Sequence, residues 1–309
     1  MKRFFTFIKK IIRGFLKFFP WYAHLYKGRA WYTKFAIGIV SFIVSIFLYL
    51  GMVDINFLGL FGKSPGFIDI KTPPTYAASE VYSADSVLIG KYFKENRIPV
   101  KYGDVTPDFW KALISTEDER FYSHHGVDFM GIGGALKDAI TRNDARGAST
   151  ITQQLAKNMF RVRTQYSGGL LGHIPGLRML IMKSKEWIIA IKLEMIYSKN
   201  EILTMYANTV DFGNNAYGIK TAARTYYNTT PAKLTTEQAA TLVGMLKATT
   251  YYSPLLHPKN SLKRRNTVLY NMVTHNELSK DRYAQLTKLP IKLNIHVEEN
   301  YDGKAQYFR

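Results

Sequence analysis

The sequence predicts a mainly α chain that carries one N-terminal transmembrane helix and only a few short strands. Three observations support this. Phe35 to Val53 is an uninterrupted apolar run without charge. From Thr106 to His275, apolar residues recur at helical spacing behind N-cap and Pro-N1 signals. Period-two alternation is confined to a hairpin around Ala84–Ser86 and to Ile291, Leu293, Ile295 and Val297.

The run at 35–53, at about 1.5 Å per residue, spans roughly 28 Å, close to the hydrocarbon thickness of a bilayer. It begins too late and runs too long for a cleaved signal peptide, and no small-x-small site follows it. Segment 1–34 before it is basic, with Lys2, Arg3, Lys9, Lys10, Arg13, Lys17, Lys27, Arg29 and Lys34 and no acid. The positive-inside rule therefore predicts a single-pass protein of the cytoplasmic membrane, N-terminus inside and everything after Asp54 outside. Within it, Phe4, Ile8, Ile11, Ile12, Phe15, Leu16 and Phe19 suggest a helix lying in the membrane interface. The chain has 309 residues, a formal charge of +19 and no cysteine. Disulfides, thiolate metal sites and a cysteine nucleophile are thus excluded. The charge fits a membrane surface or a phosphate-bearing substrate, and no nucleic-acid signature accompanies it.

Residues 54–78 read as a Gly- and Pro-punctuated juxtamembrane connector, 79–288 as the main domain, and 289–309 as a C-terminal strand and linker. Thr106-Pro107 starts a helix through Ser115 that delivers Glu117 at its end. Asp128 can cap a helix over 129–141. Ser149 can cap one over 150–160 with Ile151, Leu155 and Met159 as its buried stripe. Residues 161–177 read as a mobile loop. Further helices are expected over 183–197 (apolar contribution Trp187, Ile188, Ile191 and Met195), 200–208, 216–227, 236–247 and 262–275. Thr235 and Gln238 form a capping box.

Two polar clusters stand out in a chain that is 47% hydrophobic. One runs from Glu117 and Asp118 to His124. The other is Ser149, Thr150, Gln153, Gln154, Lys157 and Asn158. Gln153 with Lys157, and Gln154 with Asn158, are i,i+4 pairs on a shared helix side. Lys183 and Glu186 face the same way, with Arg178 and Lys185 close in sequence. Each feature alone has an ordinary reading: a helix cap, a hydrogen-bonded histidine, a solvated helix start. Together they pair a carboxylate with a cationic patch. A sugar alkoxide leaving group needs an acid to protonate it. A diphosphate leaving group needs only positive charge where negative charge develops. The combination therefore suits sugar transfer from a phosphate-activated donor, with the carboxylate as general base, and the anchor suggests a lipid-borne donor.

Glu117-Asp118-x-x-Phe121-x-x-His124-x-Gly126 resembles the first signature of the peptidoglycan glycosyltransferases, glycosyltransferase family 51. That family comprises the polymerase domain of class A penicillin-binding proteins and monofunctional transglycosylases. Gly147-x-Ser149-Thr150-Ile151-Thr152-Gln153-Gln154 resembles the second signature, and Lys183-x-x-Glu186 the third. Ile202-Leu203-x-x-Tyr206-x-Asn208 with Gly213 and Gly218 resembles the fourth, and Arg264-Arg265-x-x-Val268-Leu269 the fifth. The chain departs from the pattern at Met182, where the third signature has Arg, and at Ala148 and Ala207, where Gly and Leu are usual. Its 161–177 loop is also longer.

The resemblance implies a lysozyme-like two-lobed glycosyltransferase fold, partly sunk in the outer face of the membrane. It implies polymerisation of lipid II, with an undecaprenyl-diphosphate-linked glycan as donor and a β-1,4 link formed with inversion. Glu117 would be the general base, and Glu186 would organise the diphosphate site, with Mg2+ or Mn2+ held through Glu186 as an option. Ser149, Gln153, Lys157, Arg178, Lys183 and Lys185 would hold donor diphosphate and sugar. Asp118, His124 and Phe121 would support the first signature, and Thr150, Gln154 and Asn158 would complete the substrate-binding set. Lys185 and Arg178 would replace the cation missing at Met182. Partners would be cell-wall synthesis proteins and a transpeptidase. Neither Ser-x-x-Lys nor Lys-Thr-Gly occurs, while Asp302–Arg309 resembles the linker into a transpeptidase half. A piece of a bifunctional protein is therefore expected over a monofunctional enzyme. The competing readings are a membrane-bound lytic transglycosylase or hydrolase, which usually has Ser where Asp118 stands, and an inactive anchored scaffold.

Overall fold

The computed structural model describes residues 20–73, 79–82, 84–85, 88–92, 98–142, 147–164 and 168–296. The expected interfacial helix within 4–19 and the linker at 302–309 lie outside the described residues. The chain is mostly helical. Among its helices are α1 Trp31–Asp54, α2 Phe67–Lys71, α3 Pro107–Glu117, α4 Phe129–Arg142, α5 Ile151–Met159 and α6 Pro175–Ile196. They continue with α7 Lys199–Thr209, α8 Ile219–Tyr227, α9 Thr236–Met245, α10 Pro258–Thr274 and α11 Lys280–Leu286. β1 Ser79–Tyr82 and β2 Leu88–Tyr92 form one antiparallel ribbon, as the hairpin reading expects.

α1 is longer than the apolar run, taking in Trp31–Lys34, and is long and apolar enough to cross a membrane. Nearly all of its apolar side chains are exposed, from Phe35 to Leu48. Its C-terminal end packs, where Val53 joins Phe61, Ile181 and Ile188 in a small cluster against α6. The segment after α1 is more than a connector. It contains a 3-10 turn at Phe57–Gly59 and α2, and it is tied to α6. Lys192 Nζ donates to Asp54 Oδ1 at 2.5 Å, Lys185 Nζ to the Lys63 carbonyl at 2.8 Å, and Ser184 Oγ to Tyr49 Oη at 3.2 Å.

The main core is one cluster in which α9 packs on α10 and α3, and α5 packs on α6 and α7. The stripe read for α5 is buried, with Ile151 and Leu155 fully inside and Met159 nearly so. The stripe read for α6 is buried only in part: Ile188 is inside and Trp187 half-buried. Met195 is 70% exposed and Ile191 38%, whereas Met182, Ile189 and Leu193 are inside. α6 also starts at Pro175 rather than 183, because Pro at N1 launches it within the expected loop. Leu170–His173 of that loop is a 3-10 turn, pinned by the Leu171 N–H donating to the Leu60 carbonyl at 2.9 Å. Residues 165–167 lie outside the described residues.

Three further expectations need correction. α5 is capped by Thr150, whose hydroxyl accepts from the Gln153 N–H, because the Ser149 hydroxyl accepts from Lys183 instead. α8 begins at Ile219 rather than 216. Gly218 there, at φ +80°, lies so close to the Asn208 carbonyl that an added Cβ would sit 3.0 Å from it, and Asp211 and Tyr217 form an isolated bridge just before it. The edge strand expected from Ile291 does not form in the described part. Asn294 and His296 N–H groups donate to the Tyr226 and Thr225 carbonyls, so the segment satisfies the C-terminal end of α8. Val297 lies outside the described residues. Two capping boxes act as read or beyond: Thr235 N–H donates to Gln238 Oε1 at 3.0 Å, and Ser198 N–H to Glu201 Oε2 at 2.7 Å.

Lys185 is fully buried, and burial lowers its ammonium pKa to about 8. Below pH 8 folded and unfolded chains both carry the proton, and the folded state bears the desolvation cost. Between about pH 8 and the ordinary lysine value near 10.4, the unfolded chain holds the proton and the folded chain does not, so folded stability rises with pH. Against Lys185→Met, the wild type should gain up to ~3 kcal/mol of relative stability from pH 7.5 to 10. Denaturant midpoints of both proteins across that range check this. A constant difference would mean that Lys185 is not desolvated.

Candidate active site

α3 ends on Glu117, and the chain then turns so that Asp118 points inward. Asp118 is anchored three ways. His124 Nε2 lies 3.0 Å from both of its oxygens, and the Ile151 N–H, at the first turn of α5, donates to Oδ2 at 2.9 Å. His124 Nδ1 accepts from the Gly126 N–H at 3.2 Å, which leaves Nε2 as the protonated nitrogen facing Asp118. A carboxylate at a helix N-terminus is favoured by the orphan N–H groups and the dipole. Asp118 and His124 are both buried and turned to each other, so they fasten the first signature to α5.

Gly126 completes that fastening. Its φ is +87°, and an added Cβ would lie 2.7 Å from the Ala190 carbonyl carbon of α6. Only glycine allows this approach. Its carbonyl accepts from Thr150 Oγ1 at 2.7 Å and Gln153 Nε2 at 3.2 Å. Phe121 is fully buried beneath, with the Lys199 ammonium 4.5 Å from its ring centroid. Lys199 itself donates to the His124 carbonyl.

Glu117 is held differently. Gln154 Nε2 donates to its Oε2 at 2.9 Å, and Arg264 Nη2 stands 3.6 Å from Oε1. Gln154 is oriented in turn by Tyr206, whose hydroxyl donates to Gln154 Oε1 at 3.1 Å. Burial, with the Glu117 charge adding to it, pushes the Tyr206 phenol well above its usual range, so it remains a donor. The carboxylate thus has one short neutral hydrogen bond and one loose cation, and it is 14% exposed, open at the surface of the site.

The neighbouring glutamine serves the cations. Lys183 Nζ donates to Ser149 Oγ at 2.8 Å, Gln153 Oε1 at 3.0 Å and Glu186 Oε2 at 2.9 Å. Glu186 is buried, and its other oxygen accepts from Arg163 Nε at 2.9 Å. Lys157, one turn after Gln153, makes no hydrogen bond or ion pair among the described residues. Burial first, then the Arg163 charge, lowers its pKa. A desolvated ammonium with no carboxylate in direct contact is a ready anion partner.

α5 is therefore the ruler of the site. Successive residues of its first turn are rotated by about 100°, so Gln154 reaches Glu117 and Gln153 reaches Lys183. The structure brings together Glu117, Asp118, His124, Ser149, Thr150, Gln153, Gln154, Lys183 and Glu186 by direct bonds, with Lys157 alongside. Asn158, half-buried, makes no hydrogen bond to either group. Arg178 is exposed on the first turn of α6, outside the hydrogen-bonded cluster. Lys185 is not in the site, because its ammonium is committed to the Lys63 carbonyl on the side facing the segment after α1. Met182 is in the core; of the two expected replacements for its missing charge, Lys185 is turned to the Lys63 carbonyl, and Arg178 is exposed one turn before Met182. Arg163 and Arg264 were not singled out from sequence. Arg264 stood in a recognised signature without a role, whereas Arg163 follows a helix end where no periodicity guides a reading.

A divalent ion does not fit at Glu186. Both carboxylate oxygens already accept from cations, and the described residues contain no group of three or more His, Asp or Glu able to hold a metal.

This layout lies within a matched family. The family model described as Transglycosylase matches residues 85–273, and the chain belongs to the transglycosylase family. Among its curated relatives are class A penicillin-binding proteins. Penicillin-binding protein 1A of Haemophilus influenzae is 38% identical over 229 residues, 74% of this chain and 25% of the relative. Penicillin-binding protein 1F of Bacillus subtilis is 37% identical over 238 residues, 76% of this chain and 31% of the relative. The chain thus spans about a quarter to a third of the length of these curated relatives. A crystal structure of the Haemophilus influenzae protein aligns with a TM-score of 0.40 at 24% identity, covering 72% of this chain and 22% of that one.

Proposed function

We propose that the chain is a peptidoglycan glycosyltransferase that polymerises lipid II outside the cytoplasmic membrane. The observation that carries this reading is the division of labour along α5, where Gln154 holds Glu117 through its neutral amide and the adjacent Gln153 holds Lys183 of the cations bonded to Glu186. In this mechanism Glu117 takes the proton from the 4-hydroxyl of the acceptor lipid II. The acceptor oxygen attacks C1 of the donor sugar from the face opposite its diphosphate. The C1–O bond to diphosphate breaks with inversion, and Lys183 and Lys157 receive the charge that collects on the leaving group. No acid is required there, in keeping with the absence of a second free carboxylate among the described site residues.

α1 supports a membrane seat, as do the exposed apolar side chains Leu58, Ile68, Leu170, Met179 and Leu180 around its junction with α6. With the basic segment before α1 inside, the site lies on the outer face.

Incubating the detergent-purified chain with labelled lipid II and separating products by gel tests this directly. A ladder of glycan with release of undecaprenyl diphosphate is expected. Cleavage of preformed glycan without polymer would replace the reading with a lytic one.

A further inference from the structure

The third signature has lost its arginine to Met182, and Met182 is 2% exposed in the main core. A buried thioether supplies no charge to a diphosphate site, so a cation must come from elsewhere or the site must work without it. The turn after α5 supplies one. Arg161 adopts a left-handed backbone, at φ +45°, and Val162 is fully buried with its N–H donating to the Lys157 carbonyl. The chain is thereby reversed over α6, and Arg163 lands on Glu186, 23 residues further on.

We propose that Arg163 is a diphosphate-binding residue, standing in for the arginine that Met182 replaces. The inference rests on the proposed transfer from a lipid diphosphate. Three features support it. Arg163 spends only Nε on Glu186, and its Nη1 and Nη2 groups make no hydrogen bond among the described residues. Its side chain is 47% exposed while Glu186 is 2% exposed, so the fork faces outward from a fixed root. Finally, Lys183 and Arg163 both bond the single carboxylate of Glu186, and Lys157 lies within reach of its charge, leaving an excess of two positive charges. Without Arg163 the excess is one, against a diphosphate that carries at least two negative charges. A guanidinium fork matches phosphate oxygens in pairs, which an ammonium cannot do.

Binding of farnesyl diphosphate to the detergent-purified chain, followed by titration calorimetry, tests the role without requiring turnover. Arg163→Gln can still donate to Glu186 but carries no charge, whereas Arg163→Lys keeps the charge and loses the fork. The expected result is a Kd raised about tenfold by Arg163→Gln and about threefold by Arg163→Lys, with unchanged unfolding midpoints. Lys183→Ala should also weaken binding by tenfold or more. If Arg163→Gln binds as tightly as wild type while Lys183→Ala does not, Arg163 merely positions Glu186 and the inference falls, leaving the diphosphate site intact. If the wild type fails to bind the probe, the diphosphate reading itself falls with it.

Discussion

Replacing Glu117 by glutamine is expected to lower the rate of glycan polymerisation by about 10²–10⁴-fold, the range that a positioned general base contributes. The substitution is nearly isosteric. The Gln154 amide can still donate to the remaining carbonyl oxygen, and Tyr206 still orients Gln154. What is lost is the acceptor of the proton, together with the partner of Arg264 at 3.6 Å. Neither loss opens a cavity, so the unfolding midpoint should hold while turnover collapses. The separation matters because Glu117 lies at the end of α3, bonded into α5, where a bulkier or shorter residue would disturb the packing as well. A rate within threefold of wild type would move the base elsewhere.

Lys183→Ala is the second large effect. It removes three hydrogen bonds at once, to Ser149, Gln153 and Glu186. If the ammonium stabilises charge developing on the leaving diphosphate, the rate should fall by about 10²–10³-fold, as when one preorganised donor is deleted from a charge-stabilising site. Glu186 keeps Arg163, so it is not left as an isolated buried charge. Lys183→Arg should recover part of the rate by restoring the charge with different reach. The check is single-turnover polymerisation of labelled lipid II by both variants. Full activity in Lys183→Ala would remove the cation cluster from the chemistry.

Much of the scaffold was legible because local rules and tertiary packing agree. Thr106-Pro107 starts α3, Asp128 receives the Gly131 N–H at the start of α4, and the Ile151–Leu155–Met159 stripe is buried. The i,i+3 relation of Lys183 to Glu186 is a real ion pair at 2.9 Å. The misreadings share one cause, side chains whose surroundings come from distant segments. On α6 the buried face carries Lys185 and Lys192, whose ammonium groups find Lys63, Asp54 and Pro65 partners more than a hundred residues earlier. A polar residue satisfied at that range breaks the apolar stripe, so of Trp187, Ile188, Ile191 and Met195 only Ile188 belongs to the buried face. Arg163 was invisible for the same reason, since its meaning depends on Glu186 across the chain reversal at Arg161. Extended residues 291–296 show the converse. Their alternation is that of a strand, but the acceptors they meet belong to the end of a helix.

The most direct measurement compares wild type and Glu117→Gln for two quantities on the same samples, farnesyl diphosphate affinity and lipid II polymerisation. The expected result is unchanged affinity with polymerisation abolished, because the base and the cation cluster are held by different residues of α5, Gln154 and Gln153, about 100° apart on the helix. Loss of both together, in a folded variant, would contradict that separation of roles.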